Sequence, residues 1–119
     1  MIETNYFQVT LSSSLVVFGF NGKDLMIATE NRAFEPFKGA PMLPSKMVAP
    51  DEDLAHAASR LLENMFDEIP NNHTEQLKAF ANPYRNSNGR VVNIAQYTVL
   101  SHSATLKTLN SPYQWNALE

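Results

Sequence analysis

Most of the candidate chemistry in this chain falls between Leu43 and Glu68, which reads LPSKMVAPDEDLAHAASRLLENMFDE. Lys46 places a cation at the head of the stretch, Glu52 and Arg60 stand eight residues apart, and Glu63 and Asp67 form an i, i+4 acidic pair. Several carboxylates converging on one helix face would ligate Mg²⁺, which takes hard oxygen ligands at about 2.0–2.1 Å in an octahedral shell. Interleaved with these charges, Leu54, Ala57, Ala58, Leu61, Leu62 and Met65 recur at spacings of three and four, the mark of a helix with one apolar stripe. Leu61 and Met65 cannot ligate a metal, and Asn64 offers only a neutral amide oxygen. For Glu63 and Asp67 a solvated helix face is the simpler reading. Lys46 could attract a phosphate, or its stem could snorkel to solvent. There is no cysteine, which excludes disulfides, thiolate zinc sites and a cysteine nucleophile.

The flanking sequence supplies the elements that must position these residues. Phe7 to Phe20, rich in Val, Leu and Phe, predicts a long strand. Asn21-Gly22 follows as a hairpin turn, since both residues tolerate positive φ, and Leu25 to Thr29 is the antiparallel return. Asn31 to Ala49 holds three of the seven prolines and reads as an ordered loop wrapping over a site. Asp51, Glu52 and Asp53 open the helix with acidic charge at the positive end of its dipole, and Pro70, Asn71 and Asn72 stop it. Gln76 to Ala81 is a strand, Asn82 to Gly89 a polar loop, and Arg90 to Ser101 a second long strand. Leu106, Leu109, Tyr113 and Trp115 fall in less regular chain ending in a short strand. A mixed sheet with a helix packed on one face follows, an α+β or α/β-sandwich domain.

Composition bounds the rest. The chain has 119 residues, 44% of them hydrophobic and 18% charged, which gives one globular domain able to bury about two thirds of its unfolded surface. A net charge of −3 with scattered basic residues argues against gripping nucleic-acid phosphates unaided. The N-terminal MIETNYFQ has no basic segment followed by a long apolar core, and the apolar run Leu15 to Phe20 is too short to span a membrane. A cytoplasmic protein without membrane partners is the expectation.

Leu43 to Glu68 resembles the Nudix box, G-x5-E-x7-R-E-U-x-E-E-x-G-U with U a bulky aliphatic residue. Aligned without gaps, the chain keeps Glu52, Arg60 and Leu62, has Lys46 for the first Gly, and has Leu61, Asn64 and Met65 where the Mg²⁺-binding glutamates belong. Asp67 and Glu68 replace the closing Gly and aliphatic residue. The flanks extend the resemblance over roughly residues 9 to 118. Leu15 to Leu25, Glu35-Pro36-Phe37-Lys38-Gly39, Met42-Leu43-Pro44, Asn82-Pro83-Tyr84-Arg85, Gly89 to Val92 and the Trp115–Leu118 close are similar to one Nudix branch. That branch contains ADP-ribose pyrophosphatases and bacterial Nudix-related transcription regulators. A Trp of the branch is missing at Ala40-Pro41.

The resemblance implies a Nudix-like mixed sheet, with Glu52 and Arg60 as a structural pair bracing loop to helix. It also implies a non-catalytic effector-binding domain of a transcription regulator, which senses a small ligand such as ADP-ribose or a sugar and works as a homodimer. The ligand would sit between the Arg32-to-Lys46 loop, the helix and the Asn82-to-Arg90 loop. There Arg32, Lys46, Arg85 and Arg90 would pair with a diphosphate, and Phe37 or Tyr84 would stack on a base; a surface or loop-bracing salt bridge is the simpler role for each Arg. No cofactor is expected, and DNA would be reached only through a winged-helix domain that this chain does not contain. The chain stops at Glu119 before the second Nudix helix, so it reads as an excised domain. The competing expectation is a divergent, Mg²⁺-dependent hydrolase of nucleoside diphosphate derivatives that recruits Glu52, Glu63 or Asp67.

Overall fold

Alternation along an eleven-residue strand sets the architecture. In the computed structural model, which describes residues 9–35, 37–81 and 91–118, β1 runs Thr10–Phe20. Its odd positions, from Ser13 through Leu15 and Val17 to Gly19, turn to a helix-covered face where Leu15 and Val17 are fully buried. Asn21 then makes the turn: its Oδ1 accepts from the backbone N–H groups of Lys23 and Asp24 at 2.9 and 2.7 Å. Gly22 supplies the positive φ of 98° that the reversal needs. β2, Leu25–Asn31, returns antiparallel with Phe18 opposite Ile27.

The region expected as a loop over residues 31 to 49 contains two short strands, β3 (Pro41–Met42) and β4 (Ser45–Met47). β6, Val91–Val99, lies parallel to β1 along one whole edge, from Thr10↔Val91 to Phe18↔Val99. β2 and β4 therefore share the other edge, β2 at Phe18–Phe20 and β4 at Ser12–Ser14. β3 pairs with Glu30 and Asn31 at the far end of β2. The β3–β4 segment thus fills the fork where β1 and β2 diverge, and it satisfies backbone groups that divergence would leave unpaired. Leu15 N–H donates to the Pro44 carbonyl at 2.9 Å inside that fork.

The helix α1 spans Leu54–Met65, capped by Asp53, whose side chain accepts from His56 N–H at 2.8 Å. Asp51 and Glu52 precede it, so only the cap is acidic. It ends four residues before Pro70 because Phe66 turns extended, at φ −125° and ψ 139°, to enter the core. Ala58, Leu61, Leu62, Met65 and Phe66 meet Leu15, Val17, Ala28, Leu100, Ala104 and Leu109 in one cluster.

β5, Thr74–Phe80, pairs antiparallel with β6 at the sheet's edge, starting two residues earlier than expected and carrying a bulge between Gln76 and Lys78. β6 ends at Val99, because Ser101 caps a single turn, α2 (His102–Thr105), that packs on Gly19. β7, Tyr113–Ala117, closes on the outer edge of β2. The mixed seven-stranded sheet with a helix packed on it is the architecture expected. No helix among the described residues is long and apolar enough to cross a membrane.

Candidate ligand-binding cleft beside Glu52

The connection from β4 to α1 is fastened by one carboxylate. Arg60 donates through Nε and Nη2 to the two oxygens of Glu52, a bidentate pair. Glu52 Oε1 also accepts from Ala49 N–H at 3.0 Å, and His56 Nδ1 lies 3.5 Å from Oε2. The Glu52 side chain is 3% exposed. Its pKa falls from 4.5 to about 2, chiefly through the Arg60 hydrogen bond and then the Ala49 N–H, while burial acts the other way. Both oxygens are thus occupied by cation and backbone. The two residues were expected on one helix; Glu52 instead lies in the preceding connection, so the pair ties loop to helix.

The positions where the resemblance would put metal-binding glutamates point elsewhere. Leu61 is 1% exposed and Met65 0%, both within the core cluster. Asn64 is exposed, and its carbonyl accepts from Asn110 Nδ2 at 3.3 Å. Asp67 Oδ1 accepts from the same amide at 3.2 Å, and Glu63 is exposed. Among the described residues no three His, Asp or Glu side chains converge as a metal site. This set does not fit Mg²⁺, which needs hard oxygens on a shared, accessible face.

Cavities among the described residues have walls that come from segments far apart in sequence. One, of about 400 Å³, is lined by Val9, Thr10 and Leu11 of the β1 start and by Val48, Ala49, Pro50 and Glu52 of the fastened connection. Among its lining residues Thr10 pairs with Val91 at the start of β6. Val48 N–H donates to the Leu11 carbonyl at 2.9 Å and holds the two walls together. The other, of about 360 Å³, lies past the opposite end of β1. Sequence reasoning did not identify either lining, although the apolar start of β1 carried a trace of the first.

The expected ligand residues are only partly assembled. Arg32, Phe37 and Lys46 line neither cavity. Arg32 Nε donates to the Phe34 carbonyl at 3.0 Å, and its backbone bonds Ala40 and Gly39, so it braces its own loop. Phe37 is 76% exposed at φ 65°. Lys46 sits in β4 opposite Ser13 and forms no ion pair with a described residue. Tyr84, Arg85 and Arg90 lie outside the described residues, as does Pro36.

No family model matches the chain, and no curated protein does. Solved structures do. The Nudix domain of Shewanella oneidensis NrtR, complexed with ADP ribose, matches with a TM-score of 0.78 at 21% identity, over 99% of this chain and 79% of that one. NrtR complexed with a 27mer DNA matches at 0.72 and 24% identity, over 91% of this chain and 51% of that one. A bifunctional NMN adenylyltransferase/ADP ribose pyrophosphatase from Francisella tularensis, complexed with AMP and a manganese ion, matches at 0.67 and 17% identity, over 98% and 36%. The chain thus spans about half of the DNA-complexed protein and about a third of the bifunctional enzyme. Its fold is Nudix-like.

Proposed function

We propose that this chain is a non-catalytic Nudix-like domain that senses a small ligand, ADP-ribose or a sugar, on behalf of a DNA-binding regulator. The observation that carries the reading is the burial of Leu61 and Met65 in the core, at positions where a Nudix hydrolase would need carboxylates facing its substrate. The bonding of Glu52 is consistent with it, since three of the four lone-pair sites of its carboxylate accept from Arg60 and the Ala49 N–H. The likeness to a domain complexed with ADP ribose, and to the same protein complexed with DNA, supports the ligand class and the regulatory setting.

In this reading the cleft beside Glu52 holds the ligand. The domain acts as a homodimer. Ligand binding shifts DNA affinity only so far as it favours one dimer arrangement over the other.

Thermal-shift and turnover assays with ADP-ribose, pentoses and Mg²⁺ or Mn²⁺ test it. A ligand at 100 times its Kd should stabilise the fold by about 2.7 kcal/mol, with no product formed. Metal-dependent hydrolysis that disappears in Glu52→Gln would replace this reading with that of a divergent hydrolase. Absence of any shift would leave the effector role without support.

A further inference from the structure

The second cavity is built differently from the first, and nothing in the reading above uses it. It lies between the Asn21 turn, the chain from Thr105 to Leu109, and β7. Trp115 and Tyr113 form an aromatic wall, with Met26 and Leu109 as apolar neighbours. Leu106 stands at the lip, 63% exposed. The wall is held in place by its own bonds. Trp115 Nε1 donates to the Lys107 carbonyl at 3.0 Å, Tyr113 N–H donates to the Asn110 carbonyl at 2.9 Å, and Asn21 Nδ2 rests against Met26 Sδ at 3.5 Å.

The charge of the cavity is as distinctive as its shape. Lys107 lines it, no carboxylate among the described residues does, and Lys107 forms no ion pair with a described residue. A volume of about 360 Å³ is at the small end of ligand sites, enough for one or two fused rings. An aromatic ring prefers an offset face or edge contact with Trp or Tyr.

We propose that this cavity binds a small flat aromatic anion, its ring against Trp115 and its sulfonate, carboxylate or phosphate group at Lys107. The site is separate from the cleft beside Glu52, so its test succeeds or fails independently of the effector reading. Trp115 is the single tryptophan of the chain, and its emission therefore reports on this cavity directly. Titration with anilinonaphthalene sulfonate should quench Trp115 saturably, with energy transfer to the dye. The uncharged anilinonaphthalene should bind about tenfold more weakly, a loss of about 1.4 kcal/mol. Lys107→Glu should weaken the sulfonate by a similar factor, and Lys107→Arg should retain it. Leu106→Asp, at an exposed position that leaves the fold unperturbed, should also weaken binding. Non-saturating quenching, no quenching, or quenching indifferent to both Lys107→Glu and Leu106→Asp would overturn the proposal.

Discussion

Returning a carboxylate to position 61 or 65 measures whether those positions belong to a core or to a site. Glutamate is close in volume to leucine and methionine, so Leu61→Glu or Met65→Glu changes solvation more than packing. Leu61 is 1% exposed and Met65 0%, and burial at this depth raises a carboxyl pKa by as much as 3–5 units. Holding the group protonated at neutral pH then costs about 1.4 kcal/mol for each unit between its unfolded value of about 4.3 and the ambient pH, or about 3.7 kcal/mol at pH 7. Burying the neutral acid without a partner adds about 1–3 kcal/mol. The total, about 4.7–6.7 kcal/mol, is a large part of the 5–15 kcal/mol typical of a domain. The sign follows from the raised folded pKa: the ionisation part of the loss is absent below about pH 4.3 and grows as pH rises toward the folded value. Urea unfolding of each single variant between pH 4 and 7, referred to the parent and to Leu61→Gln or Met65→Gln, would record that slope. A difference from parent independent of pH, or stability restored by Mg²⁺, would mean the side chains face an open, hydrated site and would refute the reasoning.

Two further variants test the fastened connection and the packing of α2 on β1. Glu52→Gln should lower the melting temperature and flatten the acid limb of stability. Because the Glu52 pKa is depressed from 4.5 to about 2, its contribution is present above about pH 4.5 and is lost as pH falls through 2; an unchanged acid limb would count against the Arg60 pairing. Gly19→Ala should cost about 1–3 kcal/mol by overpacking, since a Cβ there would come within 2.2 Å of Thr105 Oγ1. That hydroxyl is fixed by Phe20 N–H at 3.1 Å and the Ser101 carbonyl at 2.8 Å. Adding Thr105→Ala removes the two nearest atoms, so a double-mutant cycle in urea should show a favourable coupling.

What the sequence disclosed about this fold was what a local pattern can encode. The helix was legible because an apolar stripe from Leu54 to Met65 needs only 3.6 periodicity, and the first turn because Asn21-Gly22 needs only positive φ and a side-chain oxygen. β3 and β4 were not legible. Strands of two and three residues carry no period of their own and exist because β1 and β2 part beyond Phe18↔Ile27, leaving edge groups to be paired. The cavities were hidden for a related reason. Val9–Leu11 meets Val48–Glu52, and Asn21 meets Thr105–Trp115, only after the sheet has set its register. Residue type also does not reveal prior engagement: Arg32 has an acceptor two residues away in the Phe34 carbonyl.

The Glu52–Arg60 pair and the Leu61–Met65 face also do separable work. The pair fastens the end of β4 to α1 through Ala49 and depends on no metal. Apolar side chains at 61 and 65 bring about 1.5–3 kcal/mol of burial each, where carboxylates would demand hydration or an ion. A helix with such a face gains stability in proportion as it loses the means to hold Mg²⁺. The fastened loop meanwhile keeps one wall of the 400 Å³ cleft in position. Geometry for binding and chemistry for turnover therefore rest on different residues of the same short stretch, so the first can persist without the second.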